Sequence, residues 1–363
     1  MRLRLSAVLV ILLLLLMTVT TAAAQHTGSP VYCGTLPETD CALLENAYTR
    51  LFALHSGSFE FRYWFAVDDG TPEGATVSEI VTGAFTNFDA TTLFPLDHTA
   101  LFGAVNLDAI VETVLPTGLP AVTPDIPAYT QGRVLLVDGL LYVDLDALAA
   151  VVGDSYSGWG SYPLDLSPHT EQNTLQVEPL VTGLDADELI AAFEPAFVRQ
   201  FLTVTRAGDT EGSAVFQTFV DMKGLYAAPE FRELLRKRLE ATRTELNQSP
   251  SIVTDDQLDN LAAKIGEWYP EPLLLYTHSV DLESGFLHSF VTWDMFDVYP
   301  MIESAARGYS TWDPYPINMS VAVSGYNQPQ DITAPPEATP LDYETVMRVP
   351  ISGSLPLLRP DKD

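Results

Sequence analysis

Six histidines, His26, His55, His98, His169, His278 and His288, and two cysteines, Cys33 and Cys41, are the side chains best suited to nucleophilic or metal chemistry. No histidine stands in an H-E-x-x-H pattern or another spacing that brings two imidazoles to one zinc ion. Serine catalysis needs a G-x-S-x-G turn between strand and helix, and Tyr156-Ser157-Gly158 and Ser324-Gly325 lack its flanking glycines. Paired carboxylates can hydrolyse glycosides, but 48 Asp and Glu residues offer many pairs and no motif selects one. The sequence predicts no catalytic residue, no metal and no cofactor. A secreted hydrolase without a recognisable motif stays open only as a third reading.

The same acids set the formal net charge at −30 against 18 Lys and Arg. Nucleic-acid binding needs clustered bases that release phosphate counterions, so that class is excluded; the charge serves solubility by self-repulsion. Asp68-Asp69 and Asp255-Asp256 are too sparse for a D-x-D-x-D-G calcium loop. Arg232, Arg236, Lys237, Arg238 and Arg243 do cluster, on a predicted helix from Glu230 to Asn247. Arg232, Arg236, Lys237 and Arg243 are candidates for contact with anionic headgroups or an acidic partner. The plainer reading is a solvated helix laced by Glu233 with Lys237 and Arg236 with Glu240.

Arg2 and Arg4 precede the apolar run Ala7 to Val19, and Ala22-Ala23-Ala24 offers a small-residue cleavage site. That order is a secretory signal peptide, residues 1–24, and it predicts a secreted or extracytoplasmic protein. An uncleaved anchor is the second reading, because Ser6 to Ala24 approaches the roughly 20 apolar residues of a spanning helix. No cysteine follows a small residue at the end of the run, so no lipobox is present. In an oxidising compartment Cys33 and Cys41 are expected to pair. The bridge would tie the segment 25–40 to the first helix and contribute about 2–3 kcal/mol.

The elements follow from periodicity. Leu44, Ala47, Tyr48, Leu51, Phe52 and His55 fall at helical spacing and predict a helix from Cys41 to about Ser56. Ser58 to Val67 alternates, with Phe59, Phe61, Tyr63 and Phe65 on one face and Glu60, Arg62 and Trp64 on the other. Val77 to Phe88 reads as its neighbour, and a Pro-rich loop spans Pro116 to Pro127. Gln131 to Leu145 is a hairpin turning at Asp138-Gly139. Pairing Val137 with Leu140 puts Val134, Leu136, Leu141 and Val143 on one face, Leu135, Val137, Leu140 and Tyr142 on the other, and Arg133 opposite Asp144. Both faces are apolar, so the sheet is covered on both sides or curls around an interior.

Asp185 and Glu188 cap a predicted helix through Leu189, Phe193, Phe197 and Phe201, bent near Pro195. Ser213 to Met222 is a strand; the Glu230 helix and a second from Thr254 to Trp268, capped by Thr254 with Gln257, form a helical insertion at about 230–268. Leu273 to Phe296 is a long hairpin turning at Ser284-Gly285. That turn places Tyr276, His278 and Val280 with Leu287, Val291, Trp293 and Met295 on an apolar face, and His288 opposite Asp281 on a wet one. Ile317 to Val323 is the last strand, and 336–363 a Pro-rich flexible tail. The sum is α+β: one domain, 41–335, with a large curved antiparallel β-sheet, a half-barrel wrapped over helices. The absence of a βαβ rhythm argues against a doubly wound nucleotide-binding fold.

Val321-Ala-Val-Ser-Gly-Tyr-Asn-Gln-Pro-Gln-Asp-Ile-Thr-Ala-Pro335 resembles the terminal strand of LolA-like and LppX/LprG-like exported bacterial proteins. Val137-Asp-Gly-Leu-Leu-Tyr-Val143 resembles their polar turn followed by a Tyr-Val strand. The resemblance implies a half-open antiparallel sheet over helices, holding lipids or acyl chains in the apolar space between. Tyr326, Asn327 and Pro329 then form a structural ending and contact no ligand. The missing lipobox and the helices at 230–268 depart from the pattern. On this reading the protein is a non-catalytic carrier of a lipid or other hydrophobic small molecule, with transient membrane-surface contact. Its wall candidates are Phe61, Tyr63, Phe65, Leu136, Leu141, Val143, Tyr276, His278, Val291 and Trp293, all of which also suit ordinary core packing. The alternative is an exported envelope scaffold whose interior is filled by its own side chains. Oligomeric state is not legible.

Overall fold

The computed structural model describes residues 32–67, 75–89, 104–114, 129–146, 149, 157–163, 199–233, 236, 254–295 and 317–341. The leader, the Pro116–Pro127 loop, the helix expected from Asp185 and most of the Glu230–Asn247 helix lie outside them. Cys33 and Cys41 are joined in a disulfide, with Cα atoms 5.4 Å apart. The bridge straddles the start of helix α1 (Glu38–Leu51). That helix begins and ends earlier than its apolar spacing predicts, with Pro37 at its N-cap. Glu38 and Asp40 stand in its first turn and Arg50 in its last, each sign complementing the helix dipole.

Strands β1 (Gly57–Val67), β2 (Ala75–Thr86), β3 (Asn106–Val114), β4 (Tyr129–Val137), β5 (Leu140–Asp144) and β6 (Trp159–Pro163) form one meander. Strands β7 (Leu202–Thr210), β8 (Ser213–Val220), β9 (Leu273–Asp281), β10 (Leu287–Met295) and β11 (Ile317–Ser324) form a second. A short β12 (Thr339–Pro340) lies beyond β6. The order is β12-β6-β5-β4-β3-β2-β1-β11-β10-β9-β8-β7, so the two meanders join where β1 pairs with β11. Every pairing but β12 with β6 is antiparallel. This is the expected large, open, curved sheet with a few helices.

The Asp138-Gly139 turn has the two positive φ values, 51° and 76°, that a tight hairpin needs. Its register is the expected one: Val137 faces Leu140 and Val134 faces Val143. The same register sets Arg133 opposite Asp144, as expected, while its guanidinium gives two hydrogen bonds, 3.0 and 2.8 Å, to Asp108 of β3. The hairpin's second apolar face is covered as well. Leu135, Val137 and Tyr142 pack against Trp159, Ile332 and Ala338, so the chain after β11 is the cover. The segment 336–341, expected to be flexible, instead runs beside β6, with the Leu341 N–H donating to the Ser161 carbonyl at 2.8 Å. Residues 342–363 lie outside the described part.

Between β8 and β9 the insertion contributes α2 (Met222–Ala227), unforeseen in the sequence, and α3 (Asp255–Trp268). Thr254 and Gln257 make the expected reciprocal cap of α3. Leu225, Tyr226, Phe231, Leu258, Leu261 and Ile265 pack together against Val220. Strand β7 was also unforeseen. As an edge strand it buries little besides Val204, so its residues lack the alternation that marks a strand.

The expected structural ending after β11 is a clasp. Asn327, at φ 56°, accepts from the His55 N–H at 2.7 Å and donates through its side chain to the Ala53 carbonyl at 2.8 Å. Its backbone N–H reaches Ser56 O at 2.8 Å, and the Ser56 hydroxyl donates to Gln328 O at 2.7 Å. The exit of β11 is thereby fixed to the end of α1. Asn tolerates a left-handed backbone better than Ala, and two side-chain bonds go with it. Asn327→Ala is therefore expected to cost about 1–2 kcal/mol in urea denaturation, and a loss below about 0.5 kcal/mol, the level of an ordinary surface substitution, would show the clasp idle.

Candidate functional site

The registers carry one face of the sheet from strand to strand. Phe216 stands opposite His278, His278 opposite Phe290, Phe290 opposite Val321, Val321 opposite Phe61, Phe61 opposite Val81, and Val81 opposite Val111. All seven are buried. Val134 with Val143 and Leu136 with Leu141 extend the same face. Phe61, Tyr63, Leu136, Leu141, Val143, Tyr276 and His278 thus share it, as expected. Phe65 keeps the backbone register of this face, opposite Val77 and Ile317.

Val291 does not belong here. It pairs with Thr277 and Ser320, on the other face. The expected two-residue turn is a longer loop, Leu282–Gly285, closed by the Asp281 N–H on Phe286 O at 3.0 Å, and a second irregularity follows at His288. Beyond His288 the net slip is one residue, which moves the side chains that follow it across the sheet, while Leu287 stays on the apolar face. Phe290 occupies the place expected for Val291. Trp293 lies in the part of β10 whose side chains are outside the described residues. His288 falls out of register with Asp281 but stays electrostatically coupled to it; its Nδ1 is 3.2 Å from Val323 O and 3.3 Å from the Tyr326 hydroxyl.

His278 is held from all sides. Helix α1 brings the Tyr48 hydroxyl to 2.9 Å from Nε2, while the rings of Tyr276 and Phe290 lie 4.7 and 5.0 Å away, centroid to centroid. Burial pushes its pKa down to about 3, so the imidazole is neutral at ordinary pH. The same burial raises the Tyr48 phenol. The pair anchors α1 to β9.

Glu79 is the residue that sequence reasoning missed. It stands opposite Tyr63 and Thr113, on the same face, with 5% of its surface exposed. Burial alone lifts its pKa to about 8, so at neutral pH it keeps its proton. The sequence carries only the alternation Val77, Glu79, Val81, which marks an inward acid once the pairing with β1 and β3 fixes that face as the inward one.

Among the described residues, the one cluster able to gather metal-ligating atoms is Cys33, Cys41 and Glu45. Its sulfurs are spent in the disulfide. The described members of the basic stripe are tied to α3. Arg232 pairs with Asp259, and Arg236 with Asp255 at 2.6 Å and Glu233 at 3.3 Å. Lys237 and Arg243 lie outside the described residues. Among the described residues, no helix is long and apolar enough to cross a membrane.

No family model matches the chain, and no curated protein does. Among solved structures, a DUF1329 family protein from Desulfovibrio piger is similar at 8% identity and a TM-score of 0.16, covering 80% of this chain and 94% of that one. Likeness at that level leaves the functional reading to the chain's own geometry.

Proposed function

We propose that the protein is a non-catalytic, extracytoplasmic binding or carrier protein for a lipid or other hydrophobic ligand. The observation that carries this reading is the apolar face that the registers trace from β8 through β11 and β1 to β5. Nine strands at the usual spacing make that face about 38 Å wide. Helix α1, with 14 residues, is about 21 Å long. It packs on the β8–β10 side, where Leu44, Ala47 and Tyr48 meet Phe216, Val280 and Leu287. An apolar molecule beside the helix would take the remaining breadth by displacing what now buries Phe61, Val81 and Val143. The disulfide and the signal-like leader support a place outside the cytoplasm.

Native mass spectrometry with lipid extraction, on protein purified from its own host, tests the reading. A hydrocarbon-bearing molecule is expected to co-purify, and stripping it is expected to open binding to an apolar fluorescent probe. If neither is found, the face is closed by the chain's own side chains and the protein is a scaffold.

A further inference from the structure

Glu79 interrupts the apolar face at one defined place. Thr218, Tyr276, Met319, Tyr63 and Glu79 lie on one row across the sheet, one register step from the row of Phe216, His278, Phe290, Val321, Phe61 and Val81. That row contains no Lys or Arg. Among the described residues no hydrogen bond or ion pair reaches the Glu79 carboxyl, and 5% of the residue is exposed. A buried acid without a partner is costly to a fold. Placed on the face proposed to receive a ligand, it is a group waiting for a polar atom that the ligand brings.

The sign of that atom follows from charge. The chain carries −30, which draws cations towards its surface and repels carboxylates and phosphates. An anionic head would meet both this field and an acid at the end of its path. A cation would meet attraction and then a carboxyl that becomes its counter-charge by giving up its proton.

We propose that Glu79 receives the ammonium group of a cationic amphiphile, whose hydrocarbon part lies along the apolar row beside Phe61 and Val81. This rests on the carrier reading above and names the ligand class it would serve. The protons balance: the ligand arrives as R-NH3+, Glu79 passes from carboxylic acid to carboxylate, and one proton goes to solvent. Burial keeps Glu79 protonated in the free protein at pH 7, so that release is measurable.

The experiment is isothermal titration calorimetry of the full chain with dodecylammonium and with dodecanol, both below aggregation, at pH 7 in two buffers of different ionisation enthalpy. Dodecylammonium is expected to bind at least tenfold more tightly than dodecanol and to release close to one proton. Glu79→Gln is expected to abolish both the preference and the release while dodecanol binding stays. Glu112→Gln, which removes an acid from the opposite face, is expected to keep both and so excludes a general effect of charge. Equal binding of the two probes, or a preference that survives Glu79→Gln, overturns the ammonium assignment and leaves the carrier reading standing. If neither probe binds and no lipid co-purifies, the carrier reading itself fails.

Discussion

Conformational stability is expected to be level between about pH 4.5 and 6.5 and to fall on both sides, because two buried groups on one sheet face oppose each other. Glu79 has its pKa raised from 4.5 to about 8. Across that window the native protein holds a proton that the unfolded chain has released, so stability declines as pH rises, by at most about 1.4 kcal/mol per pH unit. His278 has its pKa lowered from 6.5 to about 3. Below 6.5 the unfolded chain binds a proton that the native state refuses, so stability declines as pH falls.

The two slopes cancel where the windows overlap. From pH 6.5 to 8 Glu79 acts alone, and from 4.5 down to 3 His278 does, each limb amounting to about 2 kcal/mol. Glu79 faces Tyr63 on β1, and His278 faces Tyr48 and Tyr276. The Tyr48 and Tyr276 phenols are both raised by burial, so neither charges in this range. Urea denaturation across pH checks the profile through differences between variants, which removes the background of the other acids. Glu79→Gln should flatten the alkaline limb and His278→Gln the acid one. An alkaline limb that survives Glu79→Gln would sink the account.

The second large effect is a contrast between adjacent residues. Phe61 is 1% exposed at the centre of the apolar row; Arg62, next to it, holds Glu60 at 2.7 Å on the other face, both side chains about half exposed. Phe61→Ala is expected to cost about 3–5 kcal/mol, the lost transfer energy plus the cavity left behind. Arg62→Ala is expected to cost less than about 1 kcal/mol, the range of an exposed ion pair. Chemical denaturation of the two variants decides it, and losses of similar size would mean that the assigned register of β1 is wrong.

Legibility in the sequence tracked how locally each feature is specified. The β4–β5 register was readable because Asp138-Gly139 admits one tight turn, and that turn fixes every pair behind it. The β9–β10 register was not. Ser284-Gly285 suggested a two-residue turn, whereas the Ser284 N–H to Asp281 carboxylate bond and the Gly285 N–H to Asp281 carbonyl bond build a longer loop. Those bonds depend on a loop conformation that strand alternation does not report. Seven wall candidates were placed on a common face because alternation in β1, β4, β5 and β9 is strong. Val291 fell on the other side through the one-residue slip. Glu79 was overlooked although its strand was identified, because only the pairing with β1 and β3 shows which of its faces is inward.

The join between β1 and β11 has a consequence for how the chain folds. Within each meander the paired strands are neighbours in sequence, so their pairing closes shorter loops than the join does. The join pairs Ser58 with Ser324 and Phe65 with Ile317, residues separated by most of the chain. Until that distant pairing closes, β1 and β11 each expose a row of unpaired backbone groups at a half-sheet edge, where another chain can dock. Completion of the sheet therefore waits on the arrival of the segment from Ile317 onward, and the interval before it arrives is when the chain is most open to association with copies of itself.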